Sequence, residues 1–438
     1  MQDSSKPRSA KKRRLWPVLS VALIVCYLGV FLWYFLYGFG DTREPDDTPE
    51  VTESVLLPQA PSRAPTPEVT VQEVPAEPAK DFPPAVAVRG LYVTAWYAGI
   101  DEKMDGYIEI CDTTEINALV IDVKDDMGQI TFITDTESIS ETGVYIIPDI
   151  EWIVATLKNH GVYTIARIVC FKDPVWSRLH PELAIHNTSG DRWQDGSGNS
   201  WLDPYNEGSW EYIADVCLEA ARVGFDEVQL DYVRFPSDGS IRSIDYGEAG
   251  AEKSKTEIIG EFVTYIREIL AHEGVRLAAD VFGIIAISEV DAESIGQDMG
   301  LLLSSADYLC PMIYPSHFAN KRQNGTGQII NDILFEAPDL EPYGVVYNIL
   351  LGVHAHLDSG SGNAVIRPYL QDFTAAYLTE GLYQDYTAQQ VREQIEAVYE
   401  AGFDEWIIWN HNGVYSEGAF DLLNADDASV PLAEAVDP

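Results

Sequence analysis

The sequence predicts an α/β fold, a closed (β/α)8 barrel of the TIM type, preceded by an N-terminal transmembrane helix and a disordered Pro- and acid-rich linker. Three observations predict it. Short apolar runs alternate eight times with amphipathic stretches over ~340 residues, as a barrel of parallel strands and crossover helices requires. Several helical stretches stop at a glycine, at Gly161, Gly224, Gly274 and Gly402. No glycine-rich turn follows the first strand, so an open nucleotide-binding sheet lacks its phosphate cradle.

The elements run in order. Strand 90–98 precedes helix 104–115, and strand 117–126 precedes helix 148–161, with Pro148 near its start. Strand 162–171 leads through a long loop, 172–207, to helix 208–223. Strand 226–236 is followed by helix 254–273, strand 275–283 by a short helix near 291–303, and strand 307–315 by helix 341–357. Strand 364–373, helix 387–401 and strand 404–410 complete the eight units.

Charge divides the chain further. The 438 residues hold 28 basic and 70 acidic side chains, a net of −42. That balance repels phosphate backbones and excludes a general nucleic-acid binder. Residues 1–40 reverse it, with Lys6, Arg8, Lys11, Lys12, Arg13 and Arg14 against Asp3 alone. A basic tail, 1–14, then precedes 23 uncharged residues, 15–37, long enough to span a bilayer at 1.5 Å per residue. Phe31, Trp33, Tyr34, Phe35 and Tyr37 suit an interfacial belt rather than a signal-peptide cleavage site. The positive-inside rule puts the N-terminus in the cytoplasm and the bulk of the chain outside, on a single-pass anchor in the cell membrane. The linker, 38–85, contains ten prolines and ten acidic residues within 41–84, too little apolar area to offset the entropy of ordering. The barrel occupies 86–425, and 426–438 form a short tail. Cys26 lies in the anchor, and Cys111, Cys170, Cys217 and Cys310 are too widely spaced for a CxxC pair, so buried free thiols are expected.

A barrel of this kind builds its site at the C-terminal ends of its strands. Those ends carry Thr94, Trp96 and Tyr97; Asp122, Lys124 and Asp125; Arg167 through Asp173; Asp231, Arg234 and Phe235; Asp280; Tyr314 and His317; Gln371 and Asp372; and Trp409, Asn410 and His411. Alternation points Asp122 and Lys124, Gln229 and Asp231, and Asp280 into the barrel. It points Leu119, Ile121 and Val123, Val228, Leu230 and Tyr232, and Leu277, Ala279 and Val281 towards the helices. An inward carboxylate is costly unless paired or functional. The bland alternative is a stabilising network, with Asp122 paired to Lys124 or Arg234.

Two carboxylates among aromatic platforms suit glycosidic bond cleavage. One protonates the leaving oxygen, and the other attacks the sugar or activates water. Trp96, Trp176, Trp193, Trp201, Tyr314 and Trp409 fall in or beside the mouth loops, and at least half of them are expected to be loop plugs. Asp231 is the expected nucleophile or water-activating base, and Asp280 the leading acid/base, with Asp122 and Asp125 in reserve. Lys124, Arg234 and His317 would orient hydroxyls or tune the carboxylates, and Trp96, Tyr97, Tyr314, Trp409 and Asn410 would line the subsites. Carboxylates ~5 Å apart would retain configuration, and ~6.5–9.5 Å would invert it. Metal hydrolysis lacks a histidine on the first strand, and His354 and His356 point apart on a helix, so neither metal nor organic cofactor is expected. No Walker motif and no G-x-S-x-G elbow are present. The rival reading is a non-catalytic surface barrel that binds a cell-wall or capsular glycan.

The runs RGLYVTAWYAG, NALVIDVKDDMGQITF, VQLDYVRFPSDG, ADVFG, CPMIYPSHF, IRPYLQDF and WIIWN, in that order, resemble a bacterial family called the putative glycosyl hydrolase domain. The resemblance covers residues 88–420. It implies a TIM barrel related to glycoside hydrolases, often anchored at the bacterial surface, acting on a carbohydrate. Asp231 looks like the nucleophile of α-amylase-like and α-galactosidase-like barrels. Those barrels place their acid/base as a Glu after the fifth strand or an Asp after the sixth. This sequence departs from that pattern, with Asp280 on the fifth strand, Tyr314 and His317 after the sixth, and Asp307 at the sixth strand's wrong end.

Overall fold

The computed structural model describes residues 79–423. The expected basic tail, the anchor at 15–37, the linker up to residue 78 and the tail beyond residue 423 lie outside the described residues. Among the described residues no helix is long and apolar enough to cross a membrane.

Eight parallel staves close into a barrel. They are β1 (Arg89–Val93), β2 (Ala118–Lys124), β3 (Tyr163–Val169), β4 (Glu227–Asp231), β5 (Arg276–Phe282), β6 (Tyr308–Ile313), β7 (Val365–Ile366 and Tyr369–Gln371) and β8 (Trp406–Trp409). Each pairs with the next, and Arg89 opposite Trp406 shuts the ring between β1 and β8. The crossover helices are α1 (Asp101–Thr113), α2 (Ile150–Asn159), α3 (Glu207–Val223), α4 (Lys255–His272), α5 (Met299–Ser305), α6 (Pro342–Asp358) and α7 (Ala388–Glu400). A further short helix, Glu289–Ile295, precedes α5.

The helices form where apolar residues recur every three or four positions. On α3, Ile213, Val216, Cys217 and Ala220 are fully buried against the strands. Burying one such Ile or Val contributes ~1.5–3 kcal/mol. Gly161, Gly224, Gly274 and Gly402 end their helices with positive φ, the backbone a glycine adopts without a Cβ penalty. The four cysteines of the described residues are free and buried.

Four local departures from simple alternation shape the mouth. First, β1 ends at Val93 rather than near residue 98. Thr94 accepts a hydrogen bond from the Tyr97 amide at 3.3 Å and starts a short helix, Ala95–Ala98. Second, a bulge at Val123 shifts the register between Asp122 and Lys124. Third, β4 stops at Asp231, and Tyr232 turns into the mouth with φ of 49°, instead of facing the helices. Fourth, the expected single strand 364–373 is broken at Arg367–Pro368, because proline has no amide to give a ladder.

The lumen is filled in layers. At the bottom, Arg367 bonds Glu227 at 2.6 Å and Glu405 at 2.8 Å, with its guanidinium 4.0 Å from the centre of the Tyr308 ring. Above it, the Tyr369 hydroxyl donates to Gln229 at 2.6 Å. Above these layers the lumen opens at the top, where Tyr369 joins the wall of a cavity. The long loop after β3 covers one side, with Trp176, Trp193 and Trp201 buried as plugs. Residues 79–85, expected within the linker, are not free of the barrel. The Lys80 amide bonds the last residue of α4, His272, at 3.0 Å, and Arg276 lies over the Phe82 ring.

Candidate active site

A cavity of about 670 Å³ opens at the C-terminal ends of the strands, a size suited to a few sugar units. Asp231, Asp280, Arg234, Tyr314, His317 and Trp409, all read from the sequence, line it together with Asp126, Arg167, Tyr232, Phe282 and Tyr369.

Arg167 organises the polar wall. It sits on β3, opposite Asp122 on β2 and Gln229 on β4. Its Nη1 donates to Asp122 at 2.7 Å and its Nη2 to Asp126 at 3.0 Å. Both Nε, at 3.0 Å, and Nη2, at 2.6 Å, reach one oxygen of Asp231. The other Asp231 oxygen accepts from the Tyr232 amide at 2.6 Å. The turn that gives Tyr232 its positive φ therefore also fixes Asp231. A non-glycine residue there costs ~1–3 kcal/mol, which the surrounding contacts must offset. Asp122 accepts a second bond from the Tyr92 hydroxyl at 2.6 Å and stands behind Arg167 rather than on the cavity surface. Burial pushes its carboxyl up, against the opposing pull of Arg167.

Asp280 contrasts with Asp231. It is 2% exposed, and its Oδ1 has no hydrogen-bond partner among the described residues. Burial first, and the neighbouring Asp231 second, push its carboxyl well above the usual carboxylate range. Gln297 staples the ends of β4 and β5, donating to the carbonyls of Val233 and Asp280 and accepting from the Phe282 amide. Two inward carboxyl groups thus differ sharply in environment. One is clamped by a guanidinium, and the other is buried without one.

The opposite wall is aromatic. Tyr314 and Trp409 lie 5.5 Å apart at 34°, and Phe373 meets Trp409 edge-on at 5.3 Å. His317 stands edge-on to Tyr314 at 5.0 Å, and burial lowers its imidazole below the ordinary value. Burial also keeps Tyr314 a phenol. Flat faces of this kind suit the apolar face of a sugar ring.

Other residues read from the sequence sit elsewhere. The bulge at Val123 turns Lys124 away from the lumen. It is fully buried and bonds Asp173 at 2.8 Å and the Val169 carbonyl at 2.6 Å. Removing one partner of such a pair strands a charge, so Lys124→Met is expected to lose ~3–5 kcal/mol by chemical denaturation. Lys124→Met combined with Asp173→Leu should recover most of it, and equal losses in the single and double variants would contradict this. Asp125 accepts from the Met127 and Gln129 amides and shapes a tight turn. Asn410 bonds the Asp372 and Val414 carbonyls, tying the last loops together. Trp96 is 69% exposed on the short helix that ends β1, and Tyr97 packs against Gly413. Neither lines the cavity.

Arg167, Asp126, Tyr92 and Tyr232 carry site geometry without having been assigned roles from the sequence. Alternation on β3 contains the signal for Arg167, since Tyr163 and Ile165 share its inward face. Asp126 and Tyr232 depend on loop conformation, and alternation carries no information there.

Residues 90–415 match the family described as putative glycosyl hydrolase domain. A crystal structure of a hypothetical protein from Ruminiclostridium thermocellum is 41% identical, covering 44% of this chain and 99% of that one, with a TM-score of 0.41. The glycoside hydrolase domain of PgaB (BpsB) from Bordetella bronchiseptica is 11% identical, covering 75% of this chain and 95% of that one, with a TM-score of 0.50, a likeness of fold. No curated protein matches the chain.

Proposed function

The chain belongs to the putative glycosyl hydrolase domain family, and we propose that it hydrolyses glycosidic bonds in a poly- or oligosaccharide through Asp231 and Asp280. The single observation that carries this reading is the unequal pair. Asp280 is buried, has an unpartnered oxygen and is pushed well above the carboxylate range, which suits a general acid that keeps its proton beyond the pH at which an ordinary carboxyl loses it. Asp231 is the pair's clamped carboxylate, aimed by Arg167 and the Tyr232 amide.

In this account Asp280 gives its proton to the glycosidic oxygen as the bond to the anomeric carbon breaks. Asp231 attacks that carbon, or takes a proton from a water that does. Asp280, now a carboxylate, recovers a proton from the incoming water when the reaction proceeds by two displacements. Tyr314 and Trp409 hold the ring, and His317 accepts or donates to a hydroxyl.

The chain's localisation belongs to the same proposal. Residues 15–37 would anchor the protein in the cell membrane, with the barrel outside. Protease added to intact cells should then degrade the barrel, and full protection would contradict it.

The test is release of reducing ends from a panel of bacterial glycans and synthetic α- and β-glycosides. Release should fall as pH rises through the raised value of Asp280, because the acid is then spent. Stability follows the same sign. The advantage of burying a neutral Asp280 is fully present below the ordinary carboxylate value and is lost as pH rises through the raised one. Asp280→Asn should therefore gain in Tm relative to wild type with increasing pH. A Tm difference that stays constant as pH rises above the ordinary carboxylate range would argue against a buried neutral acid. Glycan retention with no release from any substrate would favour the non-catalytic binding barrel.

A further inference from the structure

Two arginines line the cavity, and their surroundings differ. Arg167 meets three carboxylates. Arg234 is 8% exposed and, among the described residues, forms no ion pair with any carboxylate. Its hydrogen bonds all leave from Nη1, to the Phe235 carbonyl at 2.8 Å and Ser237 Oγ at 3.4 Å. Nε and Nη2, the edge that grips a carboxylate side-on, make no hydrogen bond among the described residues and are not sealed from the cavity.

The guanidinium lies among aromatic rings. Its carbon lies 4.6 Å from the ring centre of Phe282 and 5.1 Å from those of Tyr232 and Trp201. Such contacts offset part of the cost of burying a cation, at ~0.5–2 kcal/mol each, but supply no hydrogen-bond acceptor. Burial accordingly lowers the Arg234 pKa. That donor edge has no protein acceptor among the described residues and is open at the cavity wall, so an anionic ligand group can take it. The planar fork fits a carboxylate better than a point charge would.

We propose that Arg234 is a specificity-determining residue of this cavity and that the glycan carries a carboxylate, as in a hexuronic acid, at the sugar held beside Asp231. The inference rests on the glycan-hydrolysing reading and names its substrate class. The net charge of −42 opposes the approach of an acidic polymer. That long-range repulsion is screened beyond ~8 Å at physiological ionic strength, so the contact at Arg234 decides selectivity.

The test uses the full chain carrying Asp231→Asn, so that substrate is not consumed. Oligosaccharides containing glucuronate or galacturonate, and the same oligosaccharides with carboxyl groups reduced to alcohols, are titrated by calorimetry. The acidic form should bind ~10–100-fold more tightly than the reduced form. Adding Arg234→Gln should bring that ratio to about one. If Arg234→Gln does not fold, Arg234→Lys carries the test, with the ratio falling ~10-fold as the fork is lost. Equal affinity for the two forms, binding of neither, or a preference that survives both substitutions overturns the proposal. Acid-selective binding without reducing-end release by wild type would instead sink the hydrolase reading and leave the Arg234 subsite standing. Release from neutral glycans alone would do the reverse.

Discussion

Asp231→Asn is expected to lower turnover at least ~10³-fold while the protein stays folded and keeps its glycan affinity. The substitution is nearly isosteric. Its amide oxygen can still accept from the Tyr232 amide or from Arg167, so the turn after β4 should hold. What disappears is the negative charge that the proposed mechanism sets against the anomeric carbon. Arg167 retains Asp122 and Asp126 as partners, so no buried cation is left unpaired. Losing the Asp231 charge also removes the second cause of the raised Asp280 value, which should move down. Initial rates of reducing-end release, with calorimetric affinity beside them, check both halves. Turnover within ~10-fold of wild type would exclude Asp231 from the reaction.

Arg167→Met should be the most destabilising single change at the mouth, by ~3–5 kcal/mol. The methionine fills much of the arginine stem, so the loss measures the guanidinium. Asp122, Asp126 and Asp231 then crowd together without their shared cation. At present Arg167 and Lys172 overcome the upward push of burial and hold Asp126 below its ordinary value. The stability carried by that lowered carboxyl is present above the unfolded value and is lost as pH falls through the folded one. The deficit of Arg167→Met should therefore be greatest near neutral pH and shrink in acid. Urea midpoints with an unchanged m-value give the measurement. A loss below ~1 kcal/mol, or one that grows in acid, would contradict a shared guanidinium clamp.

The barrel is legible in the sequence because its signals are local. Alternation marks each strand, and terminating glycines such as Gly224 and Gly274 are found with positive φ. Asp231, Asp280, Tyr314, His317 and Trp409 reach the cavity because each lies on an inward face or just past a strand end, where alternation or barrel architecture predicts the direction. Lys124 was not readable, since the bulge at Val123 reverses its face, and nothing in IDVKDD marks a bulge. Tyr232 faces the cavity because of one positive φ at a position without glycine. Trp96 leaves the mouth because Thr94, a helix-capping residue, ends β1 earlier than the apolar run suggests. The Arg167 clamp joins side chains 41 to 64 residues apart, and pairing over that distance is set by the register between neighbouring strands rather than by local pattern.

In the proposed mechanism Asp280 supplies the proton and Asp231 the negative charge. A leaving group that needs no proton separates the two roles. Wild type and Asp280→Asn should be compared on a glycan and on the matching dinitrophenyl glycoside, which departs unprotonated. A loss of ~10²–10⁴-fold is expected on the glycan and a much smaller loss on the dinitrophenyl glycoside. Equal losses on both substrates, or no loss on the glycan, would contradict it.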